Sequence, residues 1–187
     1  KTQIGVFSTS QIAGIVGEQL GALSSSQIAG LSARQIAALS TDALSSLTTS
    51  QVASLSKVQV AALSTDQIAA LESSQLEALT SSQISGLSSS QLAALTADDI
   101  ATFSTKDMAA IGSGAIAGLS TGTIAALSAS QIAALNTAAI TGMTTGQIAA
   151  LRTDQVEALT SAQIGALSST QTASLSTDDI ATLWAKK

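Results

Sequence analysis

Residues 63–71 read LSTDQIAAL and contain each signal that decides the fold. Ser64 is followed three residues later by Gln67, the pattern of a capping box, in which each residue's side chain accepts the backbone N–H of the other. Leu63 before the cap and Ile68 after the box form the pair of a hydrophobic staple. The stretch therefore predicts a short helix that starts just after Ser64 and ends before the next cap.

The same eight-residue unit repeats 23 times along the chain without an insertion. Every eighth residue from Phe7 to Leu183 is apolar, and a second apolar column lies three residues earlier, from Ile4 to Ile180, broken only by Thr172. Ser or Thr fills 17 of the 22 cap positions, and all eight Asp residues fall at the second or third helical position, where the helix dipole favours them. Each octad therefore predicts one helix.

The pattern predicts an all-α solenoid of very short helices, about seven residues each, one per octad. One long helix is a poor alternative, because an octad advances ~800° and the apolar stripe would drift ~80° per repeat. A β-solenoid is the other alternative. It is disfavoured because residues three apart point to opposite faces of a strand and because Ala-Ala is poor strand material.

The number of helices per coil is less constrained. A helix of seven residues is ~10 Å long and packed helix axes lie ~8–10 Å apart, so a square coil of four helices, 32 residues, satisfies both lengths. A triangle is expected to crowd its axis, and a hairpin-like coil of two helices stays open. Ala33, Ala97 and Ala129 share one octad position and lie multiples of 32 residues apart, which favours four. We expect one continuous solenoid over 1–183 and a C-terminal tail over 184–187.

Side chains suited to catalysis are few. The chain has no His, Cys or Tyr, so it has no imidazole base, thiolate nucleophile or usual zinc ligand set. Ser104 with Lys106 is formally a Ser–Lys pair, but Ser104 falls at a cap position. Met108 and Met143 fall in the apolar columns and are interpreted as core. We expect no catalytic, cofactor-binding or metal-binding residues, no cofactor, and no enzyme activity.

The acidic residues give the best candidates for an ion site. Two adjacent pairs stand out: Asp98 with Asp99, and Asp178 with Asp179. A Ca²⁺ site needs about six to eight oxygen ligands, and nothing nearby in the sequence supplies them. Complementation of helix dipoles is therefore the favoured interpretation of both pairs. Glu77 and Glu157 are interpreted as surface residues that either contact another group of octads or face solvent.

The charge and the hydropathy of the chain limit the kinds of partner that we expect. The net charge is −5 and the seven basic residues are scattered, so we expect no nucleic-acid partner. Polar residues interrupt every apolar run, so we expect no transmembrane segment. No signal peptide is visible, and any export signal is expected outside these residues.

The string LSTDQIAAL at 63–71 and its relatives resemble the octad arrays of very large bacterial surface or secreted proteins, described as adhesins or type I-secreted exoproteins. The resemblance covers the whole chain and implies an extracellular stalk or filament segment of a bacterium. Some of these proteins are described as haem-utilisation proteins. A chain without His, Cys or Tyr has no residue of the types that usually bind haem iron, so it gives this description no support.

Two functions are therefore expected from different classes. The first is a structural segment of an extracellular or cell-surface fibre or stalk, an adhesin-like spacer or filament subunit. The alternative is a solenoid binding module that engages a protein, a glycan or a surface along one face. Because Gln3, Ile4 and Phe7 already follow the octad register, we also expect self-association by end-to-end stacking, or further repeats of a longer parent chain.

Overall fold

A computed structural model describes residues 3–184, with side chains described from 4 to 183. These residues are helical and contain no strand, so the β-solenoid alternative is wrong. The chain divides into two compact units, Lys1–Leu87 and Ser88–Lys187, here called the first and second unit. The prediction of one continuous solenoid over 1–183 stays a prediction.

The helices follow the octads one by one. The first unit holds a 3-10 helix, Gln3–Val6, and helices α1 Thr9–Ala13, α2 Gly17–Gly21, α3 Ser25–Ala29, α4 Ala33–Ala37, α5 Thr41–Ser45, α6 Thr49–Ser54, α7 Lys57–Ala61, α8 Thr65–Ala69, α9 Ser73–Glu77 and α10 Ser81–Ile84. The second unit holds α11 Ser89–Ala93, α12 Ala97–Ala101, α13 Thr105–Ala110, α14 Ser113–Ile116, α15 Thr121–Ala126, α16 Ala129–Ala134, α17 Thr137–Gly142, α18 Thr145–Ala149, α19 Thr153–Ala158, α20 Ser161–Ala166, α21 Ser169–Thr172 and α22 Thr177–Trp184.

The predicted capping box starts most of these helices. At α8, Ser64 has extended backbone (φ −71°, ψ 167°), its hydroxyl accepts the N–H of Gln67 at 3.1 Å, and the Gln67 side chain accepts the N–H of Ser64 at 2.8 Å. Val16, at the cap of α2, has no side-chain acceptor and keeps only the half of the box made by Gln19. The local start signal read from the sequence is therefore confirmed.

The helices are shorter than predicted, most of them four to six residues instead of about seven. The corner between helices uses more of the octad than expected: Leu55 (ψ 141°) and Ser56 (ψ 158°) both have extended backbone. The last helix, α22, has eight residues and continues through Trp184, the first residue of the predicted tail. Residues 185–187 of that tail lie outside the described residues.

Within each unit, a helix packs on the third helix along the chain. In the first unit α3 packs on α6, α4 on α7 and α7 on α10; in the second unit α13 packs on α16, α14 on α17 and α16 on α19. A square coil would instead stack each helix on the fourth. The coil therefore closes after fewer than four octads, which corrects the four-helix coil favoured from sequence.

The two apolar columns form the core of each unit. Interior members of the Ile column, such as Ile36, Ile68 and Ile132, are fully buried, and interior members of the Leu column, such as Leu63 and Leu127, are buried as well. The solenoid fold class predicted from the octad is confirmed by this packing.

Thr172, the residue that breaks the apolar Ile column, does not lie in a buried core. Thr172 is exposed, and its hydroxyl donates to the carbonyl of Ser168 at 3.0 Å. The reason is its place in the second unit: Ile164 and Ile180 on either side are only half-buried, because no described coil follows to cover this part of the column.

Small residues allow the helices to approach closely. A Cβ on Gly118, just before the Leu of its octad, would collide with the backbone carbonyl of Ser89, at the start of α11. Gly142 has the same relation to Ser113. All described glycines have negative φ, so close approach and not backbone conformation explains Gly at these two positions.

Candidate functional site

The glutamine of the octad binds two different parts of the molecule at once. In Gln59, Oε1 accepts the N–H of Ser56 at 2.6 Å and closes the capping box. Its Nε2 donates to the carbonyl of Leu31 at 2.7 Å, with Ile28 at 3.3 Å and Ala29 at 3.4 Å. One amide therefore starts its own helix and joins it to the end of a helix about one turn earlier.

This bond recurs at the same spacing in both units. The amide nitrogen donates to the carbonyl 28 residues earlier at 2.6–3.1 Å in these pairs: Gln35–Phe7, Gln51–Leu23, Gln59–Leu31, Gln67–Leu39, Gln75–Leu47, Gln83–Leu55, Gln131–Phe103, Gln147–Leu119, Gln155–Leu127, Gln163–Leu135 and Gln171–Met143. Most of these amides also reach the carbonyl 31 residues earlier, as Gln155 does with Ile124 at 2.8 Å. We call these residues the stacking glutamines.

The stacking bond satisfies groups that would otherwise be costly. The last carbonyls of a helix have no partner within that helix, and a buried amide without a partner costs about 1–3 kcal/mol. Gln155 is fully buried and Gln83 nearly so, yet among the side chains described between residues 4 and 183 no buried polar atom lacks a partner. The second hydrogen bond of each glutamine is therefore what permits its burial.

The octad of α17 lacks the glutamine and uses a different donor. Ala139 stands at the glutamine position of α17, and the cap residue Asn136 takes over both roles. Its Oδ1 accepts the N–H of Ala139 at 2.8 Å, and its Nδ2 donates to the carbonyls of Ala109 and Ile111 at 2.8 Å each. The sequence predicts only the capping half of this arrangement.

Arg152 adds a charged version of the same contact. Its guanidinium donates to the carbonyls of Ala125 and Leu127 and pairs with Asp154, with Nη2 to Oδ2 at 2.7 Å. The hydrogen bond from Arg152, with a smaller effect of its charge, lowers the pKa of the Asp154 carboxyl below its ordinary value. In the sequence Arg152 is one of seven scattered basic residues, and its local sequence does not predict this bridge.

The residues with possible chemistry have structural contacts instead. Ser104 donates to Asp107 at 2.5 Å and accepts its N–H at 3.3 Å, as a helix cap does, and Lys106 beside it is exposed. Met108 and Met143 are buried in the core. Within residues 4–183, no group of three or more acidic side chains is arranged to hold a metal ion.

The aspartate pairs are divided between two roles. Asp99 accepts the N–H of Thr96 at 2.9 Å and its hydroxyl at 2.7 Å, and Asp179 accepts the hydroxyl of Ser176 at 2.5 Å. Their neighbours in the sequence, Asp98 and Asp178, are both exposed at the second helical position, in the first turn of α12 and α22. Glu77 and Glu157 are both exposed.

The first three octads present an uncovered face. Gln11 and Gln19 are exposed and Gln27 is half-buried, although their capping boxes are complete or, at Gln19, half complete. Phe7 is 43% exposed. A cavity of about 340 Å³ opens on this face, lined by Ile4, Phe7, Gln11, Ile15, Gln19 and Leu23. No described residue accepts a hydrogen bond from the side-chain amides of these three glutamines. We call this surface the leading face.

The second unit ends in a different uncovered face. Here Gln171 and Leu175 are buried and Leu167 is half-buried, while the Ile column is open at Ile164, Thr172 and Ile180. We call this surface the trailing face. In an interior octad the glutamine amide contacts the backbone carbonyls of Leu-column and Ile-column residues about one turn earlier.

Comparison with known proteins adds a family. The family model described as ALTTAQ repeat matches residues 17–49, 41–73, 68–105, 101–137 and 131–161. The name describes the octad seen here, since residues 158–163 read ALTSAQ, with Thr160 at the cap and Gln163 as a stacking glutamine. No curated protein matches the chain significantly. No helix among the described residues 3–184 is long and apolar enough to cross a membrane.

Proposed function

The chain belongs to the ALTTAQ repeat family, and from this premise we propose that it is a structural segment of an extracellular or cell-surface fibre or stalk of a bacterium. The observation that carries the proposal is the stacking glutamine. One hydrogen-bonded contact recurs in both units and joins the octads that carry a stacking glutamine to earlier ones. A part built by repeating one contact can be lengthened by adding copies of it, which is what a spacer requires.

The nature of these contacts also supports a place outside the cell. They consist of aliphatic packing and hydrogen bonds between neutral amides and carbonyls, as in Gln155 with Ile124 and Leu127. Salt screens interactions between charges, so contacts of this kind change little with the ionic strength of the surroundings. The exposed cap and first-turn positions are mostly Ser and Thr, which give the outer wall uncharged hydroxyl groups.

The proposal is tested in the source bacterium with an antibody raised against this chain. We expect gold-labelled antibody to decorate intact cells, at a distance from the outer boundary of the cell that matches an extended stalk. An antibody against a cytoplasmic enzyme serves as the control and should label permeabilised cells only. Labelling of the chain only after permeabilisation would rule the proposal out.

A second experiment separates a spacer from a binding module. Matched variants are prepared with exposed first-turn hydroxyls replaced by Ala (Ser50→Ala with Thr145→Ala) and with a stacking glutamine replaced (Gln59→Ala). A spacer should tolerate the wall variant and lose stability in the Gln59 variant. Binding of the wild type to a protein or glycan that is abolished by the wall variant would favour the module.

A further inference from the structure

We propose that the first unit binds a second copy of this chain side by side, through a basic wall on one copy and an acidic wall on the other. The inference goes beyond the proposed function, since a stalk can exist as a single solenoid. It rests on charges that the packing of the helices sorts onto separate stacks. Octads precede and follow α4, α5, α7 and α8 in the chain, so further repeats at either end would not cover the walls that these helices form.

Because each helix packs on the third helix along the chain, the first unit contains separate stacks of helices. One stack consists of α1, α4, α7 and α10, and another consists of α2, α5 and α8. The helices of the first stack carry Arg34 and Lys57 and no acidic residue, and we call its exposed side the basic wall. The helices of the second stack carry Glu18, Asp42 and Asp66 and no basic residue, and we call its exposed side the acidic wall.

The charges on both walls have no partner within the chain. All five side chains are exposed, and among the side chains described between residues 4 and 183 none of the five forms an ion pair or a hydrogen bond. The stem of Lys57 lies against Gly86, where an added Cβ would come within 2.7 Å of the lysine Cγ. Val58 beside it is 67% exposed. The basic wall therefore offers a positioned cation next to uncovered apolar surface.

The fold does not require this separation of charge. Lys57 is the first residue of α7, where the positive end of a helix dipole favours an acidic residue and disfavours a cation. In the second unit the charges are mixed instead: Lys106 and Asp107 share α13, and Arg152 pairs with Asp154 at the start of α19. A charge pattern that helix stability disfavours, and that the octads of the second unit do not show, indicates a contact outside the first unit.

The two walls match in charge and in spacing. Arg34 and Lys57 lie on helices that pack against each other, and so do Asp42 and Asp66. Packed helix axes lie ~8–10 Å apart, so each pair of charges is separated by about the same step. The two cations of one copy can therefore meet the two carboxylates of the next at the same time, with Val58 adding an apolar contact beside Lys57.

This contact differs in kind from the stacking bonds. It joins unlike surfaces, so a pair of copies still has one basic and one acidic wall free, and further copies can add sideways. It also joins opposite charges, whose attraction salt screens, whereas the stacking bonds join neutral groups. Exposed ion pairs are individually weak, so we expect a reversible association that depends on several pairs together.

Sedimentation equilibrium of the purified 187-residue chain tests the proposal. The chain is measured up to ~1 mM, a concentration at which even a millimolar contact is populated. We expect the chain to associate at ~0.02 M salt and the association constant to be at least about tenfold lower at ~0.5 M salt. Lys57→Glu and Asp66→Lys should each weaken the association at least about tenfold, because like charges then face each other.

A matched control separates the walls from the net charge. The double variant Ser50→Glu with Ser74→Glu changes the net charge as much as Lys57→Glu does, but at exposed positions of α6 and α9, which belong to neither stack. It should associate as the wild type does. Because all the substituted residues are exposed, every variant should fold, which circular dichroism would verify.

The decisive result comes from mixing the two charge-reversed variants. Lys57→Glu keeps the acidic wall and Asp66→Lys keeps the basic wall, so the mixture should associate as the wild type does although neither variant does so alone. The proposal is overturned if the wild type is monomeric in low salt at the highest concentration, if either variant associates like the wild type, or if the mixture stays monomeric. A monomeric wild type that binds poly-glutamate would assign the basic wall to another acidic partner. These outcomes do not depend on cell-surface labelling, so the proposed function keeps its own test.

Discussion

Gln11 and Gln59 occupy the same octad position, have nearly the same local sequence and close nearly the same capping box. The cap N–H lies 2.8 Å from the side-chain oxygen in Gln11 and 2.6 Å in Gln59. Yet Gln59 is buried and bound to Leu31, while Gln11 is exposed with a free amide. The octad alone therefore determines its helix, and an octad one turn earlier determines whether its glutamine is buried.

The largest expected effect on stability comes from replacing each of the two glutamines. Gln59→Ala removes half of the capping box and leaves the Leu31 carbonyl buried without its partner, so we expect the free energy of unfolding to fall by about 2–4 kcal/mol. Gln11→Ala removes the same half-box from an uncovered octad and should cost under ~1 kcal/mol. Urea denaturation with hydrogen exchange around α7 measures both, and equal losses would show that stacking adds nothing.

The Ile column offers the same comparison at the other uncovered face. Ile132→Thr puts a hydroxyl and a smaller side chain into a fully buried position and should cost about 2 kcal/mol. Thr172→Ile, in the exposed member of the column, should change the stability of the monomer by less than ~0.5 kcal/mol. Thermal unfolding of dilute protein separates them. A stabilisation of ~1 kcal/mol or more by Thr172→Ile would mean that position 172 is covered.

Two glycines four residues apart sharpen the comparison within one octad. Gly118→Ala drives a methyl group against the Ser89 backbone and should destabilise by about 1–2 kcal/mol, as overpacking does. Gly114→Ala meets open space in α14 and should stabilise by up to ~1 kcal/mol through helix propensity. Urea midpoints of the two variants should therefore move in opposite directions. A shift in the same direction would contradict the close approach of α11 and this octad.

The smallest effect concerns the exposed wall. Because Arg152 lowers the pKa of Asp154, the pair stabilises the fold above the unfolded-state pKa, and this contribution is lost as the pH falls through the folded-state pKa. NMR titration should find the Asp154 carboxyl more acidic than that of an aspartate in an unfolded peptide. In Arg152→Ala the Asp154 pKa should rise towards its ordinary value, and an unchanged pKa would contradict the bridge.

The local structure was predictable from sequence because its causes lie within eight residues. The cap at Ser64, the box with Gln67 and the burial of Ile68 all follow from nearest neighbours along the chain. The coil was not predictable from the sequence. The octad pattern places Gln67 in its own helix and does not indicate which group its side-chain nitrogen Nε2 binds. That partner, Leu39, lies 28 residues away, and this distance sets how the coils stack.

The same limit explains the misjudged residues. Thr172 looks like a defect in a buried column, since sequence periodicity cannot tell which members of a column have a coil against them. Asn136 looks like a simple cap, although its amide replaces a missing stacking glutamine. The sequence shows only that Arg152 is positively charged. Its bridge to the earlier carbonyls could be predicted only by looking for hydrogen-bond donors at the cap position of octads that also contain the glutamine.

The stacking distance has a consequence for how such arrays change over generations. Because the stacking contact has the same spacing in every octad that makes it, no such octad holds a privileged corner, and each is related to its neighbours in the same way. A gene that gains or loses one repeat unit by slippage or unequal recombination then adds or removes one interchangeable step, without having to preserve complete turns. Copy number can drift freely among descendants, and the length of the protein becomes a heritable trait that selection can adjust in small increments.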